Sequence, residues 1–91
     1  MSDKGQTIDD VETLGGLIRD ARKAQGLTQQ EFADVAGVGV RFLSELERGK
    51  ETAEVGLVLK VLATAGYDLI AEHRSHGSPF AHLLDHAEGS S

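Results

Sequence analysis

The single proline of this chain is Pro79, so ring geometry obliges no earlier residue to interrupt a helix, and glycine must punctuate almost the whole sequence. Gly26, Gly37, Gly49 and Gly66 do so, dividing the chain from Val11 onward into four stretches of helical length. The spacing of Leu14, Leu17, Ile18 and Ala21 predicts a first helix from about Val11 to Gln25, with Asp10 or Thr13 as its N-cap. Thr28 followed three residues later by Glu31 is a capping-box pattern, which restarts the chain as a helix of about eight residues ending near Ala36. Gly37 then supplies a turn at positive φ, a conformation that a Cβ would oppose.

The third stretch is the most informative. From about Val40 to Arg48, Phe42, Leu43 and Leu46 form an inward set, while Arg41, Ser44, Glu45 and Arg48 recur at i, i+3, i+4 and i+7 as one polar face. After Gly49, Thr52 is the expected cap of a fourth helix, whose buried stripe is read as Val55, Val58, Leu59 and Leu62 up to Gly66. Tyr67 to Arg74 lacks glycine and proline and is the length of one strand, yet a lone strand leaves its backbone groups unpaired and needs a mate.

Ninety-one residues allow one small domain with tails, and with 40% hydrophobic but only 4% aromatic residues its core must be aliphatic. The absence of Cys removes disulfides, thiolate metal sites and Cys nucleophiles together and points to a reducing compartment. No apolar run approaches the roughly 18 residues that span a bilayer, and no signal segment opens the chain, so a soluble cytoplasmic protein without a membrane partner is expected.

The formal net charge of −6 is unevenly spread. Between Arg19 and Lys50 six basic residues face five acidic ones, a balance of +1, whereas the remainder holds three against ten, or −7. Basicity is thus concentrated where the short helices lie, although a window so near neutrality also describes an ordinary solvated surface.

Two short helices joined by a glycine turn, the second buried on one side and polar on the other, form a helix-turn-helix. That arrangement lets a helix project into a major groove about 12 Å wide. On this reading Gly39, Val40, Arg41, Ser44 and Glu45 are the base-reading candidates, and the alternative is a solvated face. The planar fork of Arg41 can donate two bonds to guanine O6 and N7. Glu45 can accept from cytosine N4, or instead orient Arg41 or Arg48 through a helical pair. Enzymatic readings find no Gly-rich phosphate loop, no nucleophile–base set and too little chain for a substrate pocket, and no cofactor is implied. His82 and His86 stand at i, i+4 with His73 and His76 nearby, but without Cys or a carboxylate cluster a solvated tail is the better reading and no metal site is assigned.

The string from Leu27 to Val38, LTQQEFADVAGV, followed by FLSELERGK over residues 42–50, resembles the Cro/cI-type (XRE) helix-turn-helix family across about residues 14 to 66. The resemblance implies an all-α, lambda-repressor-like domain of four to five helices that binds DNA. Residues 41–50, with Val58 to Leu62, further resemble the HipB-type antitoxin branch. That branch implies a homodimer that represses its own operon and holds a HipA-like kinase toxin inactive. A phage-type or housekeeping repressor without a toxin, and a protein-interaction module in which DNA binding is secondary, are the alternatives.

Carried over by position, the resemblance implies that Gln29 contacts a phosphate through its side chain and the helix N-terminus, where free amides and a positive dipole end suit an anion. Thr28, Arg19, Lys23, Arg48 and Lys50 are further phosphate candidates. Arg22 and Glu47 resemble an architectural ion pair of the family. A two-fold dimer would mate the strand candidate, so Tyr67, Asp68, Leu69, Ile70, Ala71, Glu72 and His73 are expected to pair antiparallel with their copies on a palindromic operator. The expected layout is a flexible N-terminus over 1–10, the helix-turn-helix domain over 11–66, a dimerisation strand over 67–74 and a mobile tail over 75–91 carrying the Phe80, Leu83 and Leu84 patch.

Overall fold

The computed structural model describes residues 5–73. They hold four helices: α1 (Val11–Ala24), α2 (Gln29–Ala36), α3 (Val40–Glu47) and α4 (Val55–Ala65). Asp10, extended at φ −152° and ψ 167°, caps α1 by accepting from the Thr13 amide at 2.7 Å, which settles the choice between the two cap candidates. Thr28 and Glu31 form the full capping box of α2, the Thr28 hydroxyl accepting from the Glu31 amide at 3.1 Å and the Glu31 carboxylate from the Thr28 amide at 2.9 Å.

Gly37 lies in the left-handed region at φ 77°, where the amides of Gly37 and Val38 both donate to the Ala33 carbonyl, at 2.9 and 3.0 Å. That geometry swings the chain into α3 within three residues. Ile18, Phe32, Leu43, Leu46 and Val61 are the largest fully buried side chains, so every helix contributes to one core.

The fourth helix departs from expectation in two ways. It starts at Val55 after an extended Glu54, with no side-chain cap, so Thr52 does not cap it. Its buried positions are Val58, Val61, Leu62 and Ala65, while Val55 is 69% exposed and Leu59 also faces outward. The segment VGLVLKVLATA is apolar nearly all round, so two stripes satisfy helical spacing equally well and only packing against α1 and α2 selects between them.

Of the strand expected over 67–74, residues 67–73 are described and run on without regular structure after Gly66, so the single chain has no strand among its described residues. The expected mate is the same segment of a second copy, and among the described residues of one chain no strand stands in for it, so its backbone groups have no ladder to join. Arg74, His76, Phe80, His82, Leu83, Leu84 and His86 lie outside the described residues.

Gly15 is a determinant that periodicity did not single out. A Cβ placed there would press on the Leu46 carbonyl oxygen and stand 2.8 Å from that of Glu47, so α1 crosses the end of α3 backbone to backbone. Neighbouring Gly16 has nothing within 4 Å. Alanine at these two positions should therefore act with opposite sign. Gly16→Ala should stabilise by up to about 1 kcal/mol through helix propensity. Gly15→Ala should destabilise by about 1–3 kcal/mol through overpacking despite the same propensity gain. Urea denaturation of the two variants checks this, and a stabilised Gly15→Ala would contradict the close crossing.

Candidate nucleic-acid interface

The sequence of α3 dictates which side it shows to solvent. Leu43 and Leu46 are fully buried and Phe42 is half-buried, which turns Arg41 outward with its side chain 91% exposed. Ser44 and Glu45 flank it half-buried, and Val40 and Arg48 are exposed at the two ends. Gly39 is the N-cap, extended at φ −73° and ψ 147°, with no side-chain bond to the first amides of α3 and open space where a Cβ would stand. The start of α3 is therefore bare backbone.

Behind this face lies a buried polar cluster. Arg22 donates from Nε to Glu47 Oε2 at 2.7 Å and from Nη2 to Oε1 at 3.0 Å, a two-point contact between α1 and the last residue of α3. Its Nη1 donates to the Leu27 carbonyl at 2.8 Å, and Gln29 Nε2 donates to Glu47 Oε1 at 3.0 Å. Four chain segments thus meet on one carboxylate–guanidinium pair, and no buried side-chain polar atom among the described residues lacks a partner. Burial pushes the Glu47 carboxyl up, but the bonds from Arg22 and Gln29, with the charges of Arg22 and Arg19, outweigh it and hold the group below its ordinary value. Gln29 keeps a second amide hydrogen and its oxygen for other partners, so its side chain is oriented by Glu47. No local signal shows that link, because Gln29 and Glu47 are 18 residues apart.

A second cluster sits on the outer side of α3. Glu45 accepts from Lys50 Nζ at 3.0 Å and from Arg41 Nε at 3.4 Å. Arg41 is the i, i+4 partner that the sequence offered, whereas the other partner is Lys50 rather than Arg48. The Lys50 bond holds the Glu45 carboxyl below its ordinary value, Arg41 adding to this, against partial burial that pushes it up. Arg19, Lys23 and Arg48 are exposed and make no ion pair with another described residue. The Thr28 hydroxyl oxygen accepts in the capping box, which leaves its hydrogen to donate, and the residue is exposed. Tyr67 to His73 are all exposed, Ile70 to 77%. Among the described residues no group of His, Asp and Glu is placed to hold a metal, and no helix is long and apolar enough to cross a membrane.

Comparison with known proteins places this geometry in context. The family model HTH_3, described as helix-turn-helix, matches residues 18–70. The chain is 57% identical over 53 residues to the uncharacterized HTH-type transcriptional regulator y4mF of Sinorhizobium fredii, a match covering 58% of this chain and 70% of that protein. It is 41% identical over 54 residues to the transcriptional regulator ClgR of Mycobacterium tuberculosis, covering 59% of this chain but 47% of ClgR, so it spans about half of that relative. Among solved structures, the clp gene regulator ClgR from C. glutamicum superposes with a TM-score of 0.58 at 30% identity, covering 96% of this chain and 97% of that one.

Removing Glu47 should be felt as loss of fold. Glu47→Ala leaves the Arg22 charge buried and unpaired, at an expected cost of about 3–5 kcal/mol, a large share of the roughly 5–15 kcal/mol of a small domain. The pH dependence has a definite sign. A carboxyl depressed in the fold contributes fully above its unfolded value, ordinarily 4.5, and its contribution is lost as pH falls through the folded value. Glu47→Gln should therefore flatten the acid side of the stability curve, measured by urea denaturation from about pH 6 down to pH 3. An acid limb as steep as that of the parent would show that another carboxylate governs it.

Proposed function

Because the chain belongs to the HTH_3 helix-turn-helix family, we infer that it is a sequence-specific DNA-binding transcriptional regulator that works as a homodimer on a palindromic operator and represses by occupying it. The observation that carries this reading is the outward face of α3, held out by the burial of Leu43 and Leu46 and offering a freely exposed Arg41. A single helix fits the major groove, and Arg41, Val40 and Ser44, with the bare backbone at Gly39, are the groups on that face able to meet base edges. Gln29 and Thr28 at the start of α2, with Arg19, Lys23 and Arg48, supply phosphate contacts, which give affinity and register without sequence information.

The homodimer is supported by apolar surface left uncovered on one chain. Val55 and Leu59 on the outer side of α4, and Tyr67, Leu69 and Ile70 beyond it, are all exposed. Self-association over these residues would cover them and give the irregular 67–73 segment a mate. Two copies of α3 would then stand about 34 Å apart, one turn of the duplex.

Two finer readings each have an observation behind them. The likeness of residues 41–50 and 58–62 to HipB-type antitoxins supports an autorepressor that also neutralises a HipA-like kinase toxin. The similarity to ClgR, described as a clp gene regulator, over 96% of the chain supports a regulator acting on other genes without a toxin. A kinase-like reading frame beside the gene distinguishes the first from the second.

Selection of bound sequences from random duplex DNA at two salt concentrations tests the common core of these readings. The expected product is a palindromic consensus whose binding weakens steeply with salt. Arg41→Ala should keep the fold and lose about 1–3 kcal/mol of discrimination at one position of each half-site. Ile70→Asp should shift sedimentation from dimer to monomer. No enrichment, or a stable monomer already in the parent at micromolar concentration, would overturn the assignment.

A further inference from the structure

Glu45 has a contact pattern that base reading does not use. Both oxygens of its carboxylate are occupied, Oε1 by Lys50 and Oε2 by Arg41, and its side chain is only 25% exposed. The Lys50 contact is imposed by the backbone. Gly49, at φ 91°, closes α3 with its amide on the Leu46 carbonyl at 2.9 Å and the Lys50 amide on the Glu45 carbonyl at 3.1 Å. This pair of bonds folds the residue after the glycine back over the one five positions earlier, a contact usually filled by two apolar side chains. Here a cation and a carboxylate fill it, and Arg41 reaches the same carboxylate from one turn upstream.

We propose that Glu45 is a specificity-determining positioning residue, which holds Arg41 and Lys50 away from generic phosphate contacts and yields Arg41 only to a base edge presenting two acceptors. The inference rests on the DNA-binding reading of α3 and deepens it. On a random duplex a phosphate offers either cation little that Glu45 does not already provide. Transfer of both cations would leave a half-buried carboxylate unpaired and facing like charge. One cation therefore stays. Lys50, a point charge tied to Glu45 through the backbone turn, is the one suited to stay. Arg41, the more exposed, carries a planar fork that guanine O6 and N7 satisfy together. The cost of detaching Arg41 applies to every sequence, and its compensation exists only at the matching base.

The test compares the parent with Glu45→Gln and Lys50→Gln. It measures affinity for a random-sequence duplex and for the duplex the parent selects, each at two salt concentrations, with thermal melts alongside. Glu45→Gln should bind the random duplex more tightly and with a salt slope steeper by about one to two phosphates' worth of counterion release. Its preference for the selected duplex over the random one should fall by about tenfold, the scale of one bidentate base contact. Lys50→Gln, which keeps Glu45 and leaves it to Arg41 alone, should bind the selected duplex more weakly, and adding Glu45→Gln to it should restore part of that loss. Unchanged random-duplex affinity in Glu45→Gln overturns the proposal. So does a loss confined to one cytosine position, which would make Glu45 a direct reader, or strict additivity of the two substitutions. Should Glu45→Gln fail to fold, parent-like binding by Lys50→Gln overturns it instead. A parent that selects no sequence overturns the DNA-binding reading itself, and this inference with it.

Discussion

The contact on which the rest depends is the pairing of Arg22 with Glu47, because it joins α1, the turn after α1, the start of α2 and the end of α3 at one point. Such a pair adds little net stability compared with a well-packed apolar substitute, since both charges leave water to form it. Its value lies in exclusiveness. A guanidinium with its side chain only 10% exposed tolerates a single arrangement of carboxylate, carbonyl and amide around it, so the angle at which α3 leaves the domain is specified rather than merely favoured. Gly15 makes the arrangement reachable, since any side chain there would lift α1 off the Leu46 and Glu47 carbonyls and draw Arg22 away from its partner.

Specified orientation matters for a surface this small. α3 has eight residues, and its outward face offers only two or three side chains to a base edge. A helix so short has little intrinsic stability and is held by tertiary packing, here through Leu43 and Leu46. The formal charge of −6 adds a general repulsion from any duplex, which weakens sequence-independent attraction, so on the proposed reading discrimination would rest more heavily on the few groups that α3 offers.

What the amino-acid order disclosed, and what it hid, divides along a physical line. Local devices were readable: the Thr28 and Glu31 capping box, the left-handed Gly37 and the α3 stripe each involve residues within four positions of one another, where chain geometry alone brings them together. The Cro/cI likeness agreed with the helix-turn-helix family found by comparison. Features that needed the third dimension were not readable. The exposed side of α4 is not legible because Val55, Val58, Leu59, Val61 and Leu62 leave no polar face to orient the helix. The start of α4 is hidden because Thr52 is the better capping residue by type, yet the residue that stands at the cap is Glu54. Gly15 and the bond from Gln29 to Glu47 act across helices and leave no mark on periodicity. The Lys50 contact was hidden differently: it is local, but it arises only once Gly49 turns the backbone back on the helix.

Glu45 and Glu47 show how burial alone divides one chemistry into two tasks. They stand two residues apart on α3 and therefore point to nearly opposite sides, and each carboxylate contacts two cationic or amide donor side chains. Glu47, with its side chain 3% exposed, has no solvent to exchange with, so its partners are permanent and its loss is a loss of structure. Glu45, 25% exposed beside an almost fully exposed arginine, keeps partners that solvent reaches, so its hold on them is exchangeable. The same pairing thus serves as a fixed joint on the inner side of the helix and as an exchangeable hold on the outer side. An α3 with both pairs buried would stand rigid with no guanidinium to offer a base, and one with both exposed would offer the guanidinium from a helix of undefined direction.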